Sequence, residues 1–446
     1  MRHETNSKEM TTTPTNIASS LAPPFSMVSK YFLAAVLSFI VLVGLCAFYA
    51  GDMQGHHFQP KLLALTHIAT LGWVTMAIFG AMYQLVPVVL EVKLFSARLI
   101  EIQFWLYVAG ILGLVYGFWS FNVGAHCTAS ASLVTLSVLI FIVNMFFTMT
   151  KVTKWNLTGL YLLAALVYLK ITALAGLLLS INLGFPFISR IHLDYLKIHA
   201  HLGFIGWVAM VIMGVALKLI PMFGLSHGFS TTPAKVAYIF VNIGLLGTTV
   251  EWLMTGPAWL LRLYVALLAL GVLAFLFQLV EIFRHRMKKI FDVGMKHSVV
   301  AFGYFLLSLV TGVFLAFADV GDQAVQQALV LTYGAVVIFG FFSMLIVGQM
   351  YKIVPFLVWF HTFSDRAGKE PVPMLKDMFS EKVGTIQFWV INSGVIFALV
   401  GSLASHAQLL QAGFVLMFIG SILFAVNIAK VFLLRIRYGN NKRTNS

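Results

Sequence analysis

Charge is what this chain lacks most. Of 446 residues, 10% are Asp, Glu, Lys or Arg and 60% are hydrophobic. A water-soluble fold carries roughly a quarter charged residues, so a soluble globular architecture is excluded. Cysteine is nearly absent. Cys46 and Cys127 are too few for a disulfide scaffold. Both fall near the outer ends of hydrophobic runs, as a disulfide pair or as two small apolar residues. The layout of a cleaved signal peptide is also missing. The head, MRHETNSKEMTTTPTNIASSLAPP, is polar and rich in Thr, Ser and Pro, and reads as a disordered tail over 1–28.

What is present is a series of apolar runs, each about 20 residues or more, enough to span a bilayer core. Twelve are found, at 30–50, 61–90, 99–120, 127–149, 157–183, 197–223, 233–254, 258–282, 298–317, 327–358, 385–404 and 408–434. They predict an all-α polytopic membrane protein whose transmembrane domain covers 29–435, followed by a basic tail, 436–446. Too little chain remains between spans for a soluble domain.

The net charge of +14 is a topology signal rather than a nucleic-acid footprint. With both termini cytoplasmic, all 29 Lys and Arg fall on the inner side except Lys61, Lys170, Arg190, Lys197 and Arg262. This is the positive-inside pattern. It predicts a multi-pass protein of the cell (inner) membrane with lipid as its surroundings.

The second span reads THIATLGWVTMAIFGAMYQLVP from Thr66 to Pro87, and the sixth reads KIHAHLGFIGWVAMVIMGVALKLIP at 197–221. Each has His at its head, then Gly and Trp after five and six residues, Met after nine, Gly after thirteen and Pro after twenty. A third copy on the tenth span has Ala335 at its head, then Gly340, Phe341, Met344, Gly348, Tyr351 and Pro355. The heads, His67, His201 and Ala335, are spaced by 134 residues and by 134 again. The third spans echo one another, with IQFWLYVAG at 102–110 and IQFWVINSG at 386–394. Repeats of this kind imply a pseudo-symmetric assembly, here three four-helix arcs at about 30–150, 155–283 and 297–435.

At 100° per residue, the frame residues all fall opposite the head residue. The face carrying Gly72 and Gly80, or Gly206 and Gly214, admits a close neighbouring helix. The histidine faces the other way, beside Thr70, Leu71, Val74 and Ile78 in the second span and Phe204, Ile205, Val208 and Ile212 in the sixth. Ala335 and its aromatic neighbours predict that the third copy faces a filled space while the first two face a cofactor. His199 lies about 160° around the helix from His201, so a regular helix directs it to a separate site or to the outer interface.

A histidine buried in a bilayer needs ligation or a hydrogen-bonded partner. Imidazole suits haem iron, zinc or copper alike. Lys170 sits mid-membrane, as a proton-path residue or one half of a structural pair. His56, His57, His126 and His192 lie in outer connections, as solvated side chains or as a cluster serving a metal or cofactor. His285, His297 and His361 read as surface groups on the inner side.

The frame resembles subunit I of the haem–copper oxidase superfamily, particularly the cbb-type oxidases and nitric oxide reductases. HAHLGFIGW at 199–207 with Gly214 and Pro221 is similar to that family's helix 10 motif, though it stands on helix 6 with Leu217 replacing a Tyr. The frame also resembles the NnrS family of haem-containing membrane proteins linked to the nitric oxide response. The resemblance spans about 30–435 and implies twelve helices in three arcs. The seventh span has no histidine and the tenth has no H-x-H, so the family's copper and oxygen-reduction site does not carry over. No C-x-x-C-H motif occurs, so no covalently attached haem is expected.

The resulting expectation is a haem b between His67 and His201, with His199 a further candidate ligand and copper left open. Function would lie in electron transfer or nitric oxide binding, with an electron-donor protein or a small gas as partner. A copper- or haem-handling protein and a cofactor-free transporter are the alternatives. A conventional terminal oxidase is not expected.

Overall fold

The computed structural model describes residue 21 and residues 23–188 and 192–444, the last six by backbone alone. The described chain is helical throughout, without strands. Only helices satisfy their own backbone hydrogen bonds within a single segment in lipid. Twelve are long and apolar enough to cross a membrane. They are α1 (Phe25–Phe48), α2 (Pro60–Val89), α3 (Ala97–Trp119), α4 (Ala125–Met149), α5 (Leu157–Gly184), α6 (His192–Gly224), α7 (Thr232–Met254), α8 (Ala258–Arg284), α9 (Val293–Phe317), α10 (Gln323–Phe363), α11 (Glu381–Leu403) and α12 (Ala407–Thr444).

The first helix starts inside the stretch expected as a tail. Phe25 is fully buried, and Pro23 accepts a hydrogen bond from the buried Gln84 amide at 3.1 Å. Residues 1–20 lie outside the described residues. At the other end α12 continues through most of the expected basic tail, to Thr444.

The helices form three arcs of four, and the same contacts recur in each. The glycine face of a frame helix meets the first helix of its own arc. A Cβ on Gly80, Gly214 or Gly348 would lie 3.0 Å from Tyr31 Cβ, 2.7 Å from Tyr161 Cβ and 2.7 Å from His297 Cβ, respectively. One level up, Gly72, Gly206 and Gly340 meet Ser38, Tyr168 and Tyr304, each seven residues further along α1, α5 or α9. The small-residue seam expected from the sequence is therefore real in all three copies.

A second recurring device ties the fourth helix to the start of the third. Asn144 accepts from Ser96 N at 3.0 Å and donates to Ser96 O at 2.8 Å. Gln278 does the same with Ala234 N and Ser230 O, at 3.1 and 2.9 Å. Asn427 does so with Ser380 N and O, at 3.0 and 3.1 Å. Each amide satisfies helix-terminal backbone groups that lipid would leave bare.

Helices α2, α6 and α10 form the centre. None is a regular α-helix, contrary to the expectation from a 100° step. Each opens into π-helix immediately after its head residue, over Ile68–Thr75, Leu202–Ala209 and Val336–Ser343. Such widened turns are rare and cluster at functional sites. Two of the three junctions between them are pinned across the bundle axis. Trp73 Nε1 donates to Ser343 Oγ at 3.0 Å and Trp207 Nε1 donates to Thr75 Oγ1 at 3.2 Å. In frame terms, the residue six past the head of one copy reaches the residue eight past the head of another. At the third junction those positions hold Phe341 and Ala209, with neither donor nor acceptor. The internal prolines Pro87, Pro221 and Pro355 do not end their helices.

Candidate cofactor site

A cavity of about 420 Å³ opens among the histidine-bearing ends of the three central helices. His67, His199 and His201 all line it. The two repeat-equivalent histidines are held alike. His67 Nδ1 donates to Leu63 O, four residues back, at 2.8 Å, and His201 Nδ1 donates to Lys197 O at 2.7 Å. A carbonyl only accepts, so Nδ1 carries the proton in each ring and the Nε2 lone pair is left available. No described residue forms a hydrogen bond with either Nε2. This is the arrangement of a ligating imidazole, its far nitrogen fixed by a backbone carbonyl. His201 is further held by Trp252, edge-on at 4.9 Å, and Tyr333, stacked at 6.2 Å. His67 packs against Phe118 at 4.8 Å.

His199 does not go to a separate site or to the outer interface. It lines the same cavity, close enough to His67 to interact electrostatically. Its Nδ1 donates to Thr172 O on α5 at 3.1 Å. Gly176 makes room for it, since a Cβ there would come within 2.8 Å of His199 Cε1.

The third copy also departs from expectation. Ala335, Ile338 and Phe339 line this cavity rather than filling a space of their own. Alanine at the head of α10 removes a ring and leaves volume. Of the outer histidines, His57 and His192 line the cavity mouth, whereas His56 and His126 do not. Burial, with His56 stacked beside it at 4.5 Å, holds the His57 imidazole below the ordinary histidine range, so it is neutral at pH 7. His126 is engaged with Gly113 O at 2.9 Å.

Two other side chains differ from the sequence reading. His297 is not a surface group. It is fully buried on α9, with Nε2 3.0 Å from Gln387 Oε1 of α11. Lys170 lies on the exposed face of α5. It lines neither of the two cavities between the central helices, and no described residue pairs with it. Cys46 and Cys127 are buried free thiols.

A second, smaller cavity of about 80 Å³ lies further along the central helices, toward their prolines. Ile78, Ile212 and Ile346 line it, each eleven residues past its head residue.

No family model and no curated protein matches the sequence. A chain in the cryo-EM structure of a heme-copper terminal oxidase dimer superposes with a TM-score of 0.68 at 13% identity, covering 94% of this chain and 84% of that one. The chain has a heme–copper oxidase fold. At that identity the likeness is one of architecture, and it agrees with the twelve spans and three arcs built above. The donor set is this chain's own. Among the described residues no three His, Cys, Asp or Glu side chains converge to hold a metal ion. Zinc in proteins takes three or four protein ligands, which this cavity does not assemble. A haem iron takes four ligands from its macrocycle and asks the protein for one or two axial groups. Two repeat-related imidazoles, each with a free Nε2, fit that requirement.

Proposed function

We propose that this chain is a haem-binding integral membrane protein of the heme–copper oxidase type, with a b-type haem held by His67 and His201. The reading rests on one observation. Repeat-equivalent imidazoles on α2 and α6 carry the same backbone tie at Nδ1, leave Nε2 without a partner among the described residues, and line one largely apolar cavity. A bound haem would supply one-electron redox chemistry, and would take a diatomic gas only where one of the two imidazoles gave up its place on the iron. The protein's part is to orient the rings through Leu63 O and Lys197 O, exclude water with apolar walls, and keep His199 as a third imidazole on the same space. The α7 span lacks histidine and α10 lacks H-x-H, so a complete copper site is not proposed. Electron transfer or nitric oxide binding in an inner membrane, with both termini cytoplasmic, is the role that fits. An electron-donor protein or a small gas is then the partner. The repeat limits proposed are 30–150, 155–283 and 297–435.

His57 and His192 at the cavity mouth favour one second reading, a haem- or copper-handling protein that passes its cargo out. A transporter without cofactor loses its main support, because Lys170 faces away from the interior.

The test is pyridine-haemochrome quantitation with electron paramagnetic resonance on the purified protein. One b-type haem per chain with a low-spin bis-imidazole signal is expected. A haem that leaves to an acceptor within minutes would move the weight to cargo handling. No haem uptake at all would sink the reading.

A further inference from the structure

Lys170 stands 13 residues from Leu157 and 14 from Gly184, the two ends of α5. At 1.5 Å per residue that is about 20 Å from either end. A four-carbon stem does not cover such a distance to reach an interface. The side chain is exposed, and no described residue pairs with it. Its neighbours on the same face, Val167, Ile171, Leu174 and Leu178, are exposed and apolar. The opposite face of α5 is occupied, with Tyr161 and Tyr168 against the glycines of α6 and Thr172 O receiving His199. A charged side chain at mid-bilayer facing lipid is costly, and such groups pair with another protein group.

We propose that the α5 face from 167 to 178 docks a membrane-spanning helix of a different chain, and that this helix presents a carboxylate to Lys170 at mid-bilayer depth. A second copy of this chain does not meet the requirement. Every described Asp and Glu lies at a helix end or in a connection, so none reaches that depth. The charge of Lys170 asks for an acid, and the apolar flanks ask for a helix that packs in lipid. This inference is independent of the haem reading.

The test uses the full chain in phosphatidylcholine vesicles with fluorescently labelled single-span peptides, Leu-rich, carrying Asp or Leu at the centre. Resonance energy transfer reports association. The Asp peptide is expected to bind about fivefold or more tightly than the Leu peptide. Lys170→Leu, a lipid-facing change to a good membrane residue, removes that preference. Lys170→Glu transfers the preference to a peptide with a central Lys. Equal binding of the Asp and Leu peptides overturns the proposal, as does an Asp preference that survives Lys170→Leu. A Lys170-dependent effect seen only when anionic lipid is added assigns the lysine to lipid phosphates and likewise overturns it.

Discussion

Gly348→Ala and Gly303→Ala make the same chemical change to two helices that pack together, and the structure gives them opposite signs. A Cβ on Gly348 would lie 2.6 Å from Gly294 O and 2.7 Å from His297 Cβ. One is backbone and the other the first side-chain carbon, so neither can swing aside and α9 must move off α10. Overpacking of this kind costs about 1–3 kcal/mol. Removing a helix glycine returns about 0.5–1 kcal/mol, leaving a net loss of up to about 2.5 kcal/mol. Gly303, on α9 itself, has open space on its Cβ side, with nothing within 4 Å. Its substitution keeps only the entropic gain, about 0.5–1 kcal/mol of stabilisation. Unfolding in mixed micelles by SDS titration, followed by circular dichroism, separates the two. Equal shifts, or a Gly348→Ala protein more stable than the parent, would refute the glycine-seam packing of the arcs.

Trp207→Phe should lose about 1 kcal/mol in the same titration, because it removes the bond to Thr75 and keeps an aromatic ring. Phe341→Trp should gain nothing comparable, since Ala209 offers no acceptor. His199→Ala should retain the reduced haem bands, because His199 has no counterpart in the other two copies, where Leu65 and Tyr333 stand, and is not one of the repeat-equivalent pair. Loss of those bands would show that the axial pair is misassigned. Asp292→Asn should cost about 2–3 kcal/mol, since it strands the partly buried Lys352 while an amide can still cap α9. Burial alone would raise the Asp292 carboxyl, but the Lys352 and Lys288 ammonium groups outweigh it and hold the group below the usual carboxylate range. A carboxyl lowered on folding stabilises fully above its unfolded value, about 3.9. That contribution is lost as pH falls further, through the folded value. The stability gap between parent and Asp292→Asn should therefore stay constant from about pH 7 to 5 and close below about pH 4.

Apart from the end of α12, the spans are legible in the sequence to within about five residues, because a bilayer crossing demands a long apolar window whatever packs beside it. The glycine seams are legible as well, since two glycines eight residues apart mark one helix face. The widened turns are not. A π segment has no residue-type signature, and a 100° step assumes it away; that assumption also misplaces His199. His297 escapes a reading by apolar runs because its run starts at Ser298, whereas the helix starts at Val293 and carries the histidine inside. The clamps of Asn144, Gln278 and Asn427 leave a readable trace: each is an amide in an otherwise apolar span, and the first two sit 134 residues apart, the same period as the heads. The direction of Lys170 has no such trace, because α5 is apolar around nearly its whole circumference. At Ala335 the aromatic neighbours suggest a filled space, but the missing ring itself leaves the cavity open.

The central claim is the proposal that His67 and His201 together would hold one haem. The direct measurement is the difference spectrum, dithionite-reduced minus oxidised, of the purified parent, His67→Ala and His201→Ala proteins. Sharp haem b bands in the parent, lost in both variants while the proteins stay monodisperse, are the result this account requires. A featureless parent spectrum after haem is supplied, or bands unchanged in either variant, would contradict it.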